Sequence, residues 1–165
     1  MIGLNEPARR AREVGHWFTD YSFRVLIFLA REQDGLATID EIAASYRISR
    51  NHLMKVVHRL ATTGYVETVR GKGGGMRLAR PAARIPLGQV ARDMEENMHI
   101  VQCLEDGFRN CTLLPSCVLK TALVEARASF LDTLNRYTLA DLAKPGTGRG
   151  GNAILRRMTR PKALA

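Results

Sequence analysis

The chain has 165 residues, of which 45% are hydrophobic and 25% charged, which suffices for one folded domain and excludes a fully disordered chain. Its net charge of +9 and pI near 10.1 indicate a polyanionic partner, either nucleic acid or an anionic membrane surface. No apolar run approaches the roughly 18 residues of a membrane span, and no apolar segment follows the basic N-terminus, so we expect a cytoplasmic protein.

The positive charge is concentrated in one part of the chain. Residues 47–92 contain ten basic residues and one acid, Glu67, whereas residues 1–46 and 93–144 are mildly acidic. Such a block is typical of a surface that binds a polyanion. We expect residues 1–15 to form a flexible basic leader and residues 144–165 a disordered, glycine-rich basic tail.

Two helices are predicted at the start of the folded region, the second of them short. Residues 20–32 place their apolar side chains on one helical face, which predicts a first helix. Thr38 and Glu41 then form a capping-box pattern, in which each side chain can bond to the other residue's backbone. This pattern predicts the start of a second helix over about 39–46.

A third helix and a hairpin follow directly. Ser49 is placed to cap a helix that Gly64 ends, and only three residues separate this helix from the one before it. Residues 65–69 and 76–79 alternate as two strands around the glycine-rich turn 70–75. A helix-turn-helix followed at once by a glycine-tipped hairpin predicts a winged helix.

The predicted fold is therefore mainly α (α+β), with a winged helix-turn-helix DNA-binding domain over residues 16–95. Asparagine can pair with adenine, arginine can pair with guanine, and glycines let the hairpin backbone approach phosphates or a minor groove. We expect the DNA contacts to come from the third helix and the hairpin, at Ser49, Arg50, Asn51, His52, Lys55, Arg59, Arg70, Lys72, Gly73 and Arg77.

All three cysteines lie within one segment, residues 96–117, with the spacing C-x7-C-x5-C. Cys103, Cys111 and Cys117 are interspersed with glycine, asparagine and proline, which favours a loop. Thiolates gathered on one loop suit zinc or an iron–sulfur cluster, and three of them leave one coordination position to another ligand. Unligated thiols or a regulatory disulfide are the alternatives.

A long helix is predicted after the cysteine loop, within residues 118–143, with Ser116 placed to cap it and Thr138 opening a short closing helix. Its apolar stripe is longer than a small winged domain can cover. This favours pairing with a second copy, because a homodimer reads a two-fold operator in double-stranded DNA. Packing on the winged domain is the alternative.

The sequence contains no pattern typical of an enzyme. Residues 71–75 lack the G-x4-G-K-[ST] arrangement of a nucleotide-binding loop, and no Ser/His/Asp set or carboxylate pair is apparent. We therefore expect no catalysis, against the alternative of an iron–sulfur enzyme or electron carrier.

Four motifs carry a resemblance to a known family over roughly residues 16–143. DYSFRVL at 20–26, ISRNHLMKVVHRL at 48–60, ETVRGKGGGMRLARP at 67–81 and RYTLADL at 136–142, together with the cysteines, resemble the Rrf-type winged-helix iron–sulfur repressors of bacteria. The likeness is strongest to the nitric-oxide-sensing branch of that family.

The resemblance implies a homodimeric repressor with a [4Fe–4S] cluster, held by Cys103, Cys111 and Cys117. It also implies a fourth ligand, Asp20, from the other subunit. Nitric oxide would nitrosylate the cluster and release the operator. The [2Fe–2S] branch, an alternative cofactor, carries a histidine where this chain has Lys120. The alternatives are an iron- or redox-responsive branch of the family that reacts to cluster loss, and a zinc- or thiol-based winged-helix regulator.

Overall fold

The computed structural model describes residues 17–32, 35–95, 98, 101–105, 107–112 and 116–144. The predicted leader and residues 145–165 of the predicted tail lie outside these ranges. The helices are α1 (Trp17–Arg31), α2 (Ile39–Tyr46), α3 (Arg50–Thr62), α4 (Leu87–Met94), α5 (Val118–Asn135) and α6 (Leu139–Ala143), and the strands are β1 (Val66–Val69) and β2 (Gly75–Leu78). Single 3₁₀ turns lie at Ala82–Arg84 and Gln102–Leu104. Among the described residues, no helix combines the length and apolar character that crossing a bilayer requires.

The helix-turn-helix follows from local sequence as predicted. Thr38 Oγ1 accepts from the Glu41 amide at 3.3 Å, and Glu41 Oε2 accepts from the Thr38 amide at 2.7 Å, so the capping box at the start of α2 is confirmed. α2 ends where Arg47 enters the left-handed region at φ 54°, which turns the chain toward α3. Ser49 occupies the N-cap of α3, but its predicted side-chain hydrogen bond is wrong, because the hydroxyl makes no capping bond.

The wing is an antiparallel hairpin whose register pairs Val66 with Leu78 and Val69 with Gly75. An isolated β-bridge joins Ala37 to Met76 of β2, with reciprocal backbone bonds of 2.9 and 2.7 Å. A Cβ at Gly75 would lie 2.8 Å from the Ala37 carbonyl oxygen, so only glycine allows this approach. The wing is therefore anchored to the segment that precedes α2.

One apolar core joins α1, α2, α3, α4 and the wing. It includes residues from every one of these elements and from α6, among them Leu26, Ile42, Leu53, Leu60, Val66, Val90 and Leu139. Backbone bonds from Leu139 to Ile85 (2.9 Å) and from Leu87 to Tyr137 (3.0 Å) fix the chain around α6 against the start of α4. The predicted closing helix thus packs into the winged domain.

α5 begins one residue later than the sequence suggested. Its N-cap is Cys117 rather than the predicted Ser116, and no side chain caps it. α4 packs tightly on the C-terminal half of α5, since a Cβ at Gly88 of α4 would lie 2.5 Å from the Leu131 carbonyl oxygen of α5. Leu131 is buried there, whereas Val118 and Phe130 are 80% and 52% exposed. The apolar stripe of α5 is therefore only partly covered within one chain.

Candidate DNA-binding surface and cysteine loop

α3 divides cleanly into a core face and a solvent face. Leu53, Val56, Val57 and Leu60 are all buried, following the 3.6-residue period of a helix that packs on α1 and β1. The opposite face exposes two of the predicted contact residues, Asn51 and Lys55, and Arg50 at its N-terminal end. A helix that offers amide, guanidinium and ammonium groups on one free face has the composition needed to read a major groove.

Three predicted DNA-binding arginines have partners within the chain. Arg50 pairs with Asp40 at 2.8 Å, and Arg77 pairs with Glu67 across the hairpin. Both pairs are largely exposed, and exposed ion pairs contribute little to stability, so these arginines can exchange their carboxylates for phosphates. Arg59 differs, because its Nε donates to the Asp93 carbonyl oxygen at 3.0 Å and the residue is half-buried.

Arg59 thus ties α3 to α4, and its predicted contact with DNA stays a prediction. His52 lies at the edge of the surface next to α1, with its ring centroid 6.4 Å from that of Tyr21. Ser49 is exposed at the N-terminal end of α3, where its hydroxyl is free of the capping role.

The tip of the wing is built from glycines with exposed cations beside them. Gly73 has φ +77°, a conformation that side chains disfavour, and a Cβ at Gly74 would lie 2.3 Å from the Val69 carbonyl oxygen. This tight turn leaves Arg70 and Lys72 exposed at its tip. Three of the predicted wing contacts, Arg70, Lys72 and Gly73, therefore lie together in this turn, and the fourth, Arg77, lies on β2.

Two residues of this surface, Met54 and His58, were not among those predicted. Met54 is 43% exposed, one turn from Arg50 and beside Lys55, and His58 is exposed one turn further along the helix. The buried Leu53, one residue before Met54, already implied this placement by helical periodicity. The exposed, apolar side chain of Met54 can contact a thymine methyl group, whereas its polar neighbours are suited to hydrogen bonds with base edges or phosphates.

The cysteine loop places three free, half-buried thiols along one segment. Cys103 lies in the 3₁₀ turn after α4, and Cys117 lies at the N-cap of α5. In the parts of the chain that the structure describes, no three histidine, cysteine, aspartate or glutamate side chains are close enough to hold a metal ion. The donor types suit an iron–sulfur cluster, although the described residues do not bring three of them together.

Asp20, the predicted fourth ligand, lies in the first turn of α1. Its two carboxylate oxygens accept from Arg24 at 3.1 and 3.0 Å, one helical turn away. The Asp20 side chain is 44% exposed, so a second subunit could reach it. Its role as a ligand stays a prediction.

Comparison with known proteins decides the family. Residues 17–145 match the sequence profile of Rrf2, described as an iron-dependent transcriptional regulator. The chain belongs to the Rrf2 family. The family predicted from the motifs is thereby confirmed, and so is the function of a DNA-binding transcriptional regulator.

Individual relatives agree with this chain in sequence. The chain is 50% identical over 128 residues to the HTH-type transcriptional regulator NsrR of Bacillus subtilis, covering 77% of this chain and 88% of the relative. It is 46% identical over 126 residues to the NsrR of Geobacillus kaustophilus, covering 76% and 86%.

Two solved structures share the fold at 25% identity. The crystal structure of Staphylococcus aureus CymR superposes with a TM-score of 0.62, covering 78% of this chain and 97% of CymR. T. potens IscR superposes with a TM-score of 0.60, covering 78% and 84%. The mainly helical winged fold of this Rrf2 chain is therefore confirmed.

Proposed function

We propose that this Rrf2 protein is a repressor that holds operator DNA as a homodimer and releases it when nitric oxide reacts with an iron–sulfur cluster. The observation that carries the proposal is the set of three free, half-buried thiols on one loop, in a chain 50% identical to a regulator named NsrR. Thiolates are the usual ligands of such clusters.

DNA binding would use the solvent face of α3 in a major groove and the glycine wing on the flanking backbone. Lys55 and Lys72 are exposed and have no ion pair among the described residues, so they are available for phosphates. The exposed apolar side chains of α5 support pairing with a second copy, which would present two α3 helices to a two-fold site.

Cluster binding would use Cys103, Cys111 and Cys117, with Asp20 of the partner subunit as fourth ligand. A [4Fe–4S] cluster bound there would supply the iron that reacts with nitric oxide. Because no three of these donors meet among the described residues, the loop must draw together when the cluster binds. The half-exposed Asp20 carboxylate, held by Arg24 in the single chain, would exchange that partner for iron.

Anaerobic reconstitution with iron and sulfide tests the ligand set. We expect about four irons and four sulfides per subunit for the wild type, as for a [4Fe–4S] cluster. Cys103→Ser, Cys111→Ser and Cys117→Ser should each lose the visible absorbance. Asp20→Ala should load but lose iron faster to a chelator, while Asp40→Ala, which removes a matched exposed carboxylate, should behave as wild type. A colourless wild-type protein that contains zinc would contradict the proposal.

A further inference from the structure

Asp93 is the acceptor for three donors from three parts of the DNA-binding domain. The Tyr65 hydroxyl donates to its Oδ2 at 2.6 Å, and Gln89 Nε2 donates to its Oδ1 at 2.8 Å. Arg59 Nε donates to its backbone carbonyl at 3.0 Å. Arg59 lies on α3, Tyr65 directly precedes β1, and Asp93 lies in the last turn of α4. One residue therefore joins the recognition helix, the base of the wing and α4.

The surroundings of Tyr65 favour retention of its hydrogen bond to Asp93. Tyr65 is fully buried, and a buried hydroxyl that loses its partner is costly, so its bond to a charged acceptor is strongly retained. Burial and the hydrogen bond to Asp93 raise the pKa of Tyr65 far above its ordinary value, so the hydroxyl stays a donor. Arg80, at the end of the wing, stacks on the Tyr65 ring with its guanidinium carbon 4.4 Å from the centroid.

Two residues after Asp93, Glu95 contacts α1 rather than α3 or the wing. Its Oε1 accepts from the Thr19 amide at 3.2 Å and from the Thr19 hydroxyl at 2.5 Å. Thr19 directly precedes Asp20, and the chain beyond Glu95 runs into the loop that carries Cys103. The segment 93–95 thus has hydrogen bonds to the DNA-binding elements on one side and to the neighbour of a proposed cluster ligand on the other.

We propose that Asp93 is a positioning residue that couples the cysteine loop to α3 and the wing. This inference rests on the proposed function, because it explains how a change at the cluster would reach the DNA. A shift of the loop or of Asp20 would pull on Glu95, and the Asp93 bonds would carry that movement to Arg59 and Tyr65. The coupling can be measured, because it equals the difference in DNA-binding free energy between the two states of the cluster.

The test compares DNA affinity in two states of the same protein. For each variant, the dissociation constant for a duplex bound by the wild type is measured anaerobically with the cluster-loaded protein and after stoichiometric nitric oxide. The dissociation constant after nitric oxide, divided by the constant before it, measures the coupling. Tyr65→Phe removes the donor hydroxyl, and Asp93→Asn removes the charge. Tyr137→Phe is the matched control, because that exposed hydroxyl makes no hydrogen bond to the described residues.

We expect both variants to load the cluster with wild-type absorbance and to show a ratio at least tenfold smaller than the wild type, while the control keeps the wild-type ratio. Thr19→Val, which removes the other hydroxyl donor, should reduce the ratio as well and serves if Asp93→Asn does not fold. A wild-type ratio retained in Tyr65→Phe and Thr19→Val overturns the coupling role of Asp93. A wild-type ratio of one overturns the proposed nitric-oxide response itself.

Discussion

Lys55 offers the sharpest test of the DNA-binding surface. It lies on the solvent face of α3, it is exposed, and no described carboxylate pairs with it. In the proposed homodimer, with each Lys55 at a phosphate, Lys55→Ala would remove two phosphate contacts. Each contact contributes about −0.9 to the slope of the logarithm of the association constant against the logarithm of the salt concentration, so the slope of the variant should be less steep by about 1.8. If the variant and the wild type bind equally at 1 M salt, the variant should therefore bind about 60-fold more weakly at 0.1 M salt.

The assay is a fluorescence-anisotropy titration of a labelled duplex at four or more salt concentrations, with cluster-loaded protein under anaerobic conditions. Arg136→Ala removes the same charge from an exposed residue at the end of α5, outside the helix-turn-helix and the wing, and should leave the slope unchanged. A Lys55→Ala slope equal to that of the wild type would refute the placement of α3 against the phosphate backbone.

Three further predictions concern the winged domain. Thr38→Ala removes the hydroxyl that accepts from the Glu41 amide and donates to the Glu41 carboxylate, and should cost about 1 kcal/mol at neutral pH in thermal unfolding. The Thr38 amide and hydroxyl lower the pKa of Glu41, so this carboxylate contributes stability above its ordinary pKa. The Thr38 amide bond remains in the variant, so only the part of the cost that comes from the hydroxyl's bond to the carboxylate should shrink as the pH falls through the lowered value, and a constant difference would contradict that bond. Gly88→Ala should destabilise the protein by about 1–3 kcal/mol, because its methyl group meets α5, whereas Gly35→Ala, with no atom within 4 Å, should be tolerated in the same denaturant titration. Met54→Ala should abolish an affinity difference of about fourfold, roughly 0.8 kcal/mol per methyl group, between thymine and deoxyuridine duplexes, and a persisting difference would exclude Met54 as the methyl contact.

Sequence predicted the parts of the fold that depend on near neighbours. The capping box needs only Thr38 and Glu41, three residues apart, and the wing turn needs only glycines such as Gly73 and Gly74. Both were therefore predictable from spacing alone. Ser116 shows the limit of this reasoning, because a hydroxyl beside a helix start does not fix which residue becomes the N-cap, and the structure uses Cys117.

The long-range part of the site could not be predicted from spacing. Tyr65 and Asp93 are 28 residues apart, and Arg59 and Asp93 are 34 residues apart, so only the packed core shows that these three residues meet. Arg59 was predicted to contact DNA because of its charge and its helix, yet the structure directs its Nε to α4. The burial of Leu139 likewise depends on how α6 folds back onto the winged domain.

The cysteine loop shows a different limit. The spacing of Cys103, Cys111 and Cys117 indicated thiolate chemistry, and the structure leaves all three thiols free. In the described parts of the chain they form no three-ligand group, so the ligand geometry stays a prediction. Loop closure and the contribution of a second subunit are the two events that the proposal requires.

The most direct test of the proposed function is the affinity of cluster-loaded protein for operator DNA before and after nitric oxide. The protein is reconstituted anaerobically, and its dissociation constant is measured with stoichiometric nitric oxide and, separately, with an iron chelator. We predict that nitric oxide weakens binding at least tenfold while the chelator acts more slowly, as it must first remove the iron. An affinity that stoichiometric nitric oxide leaves unchanged would contradict the account, and release by the chelator alone would identify an iron-responsive repressor.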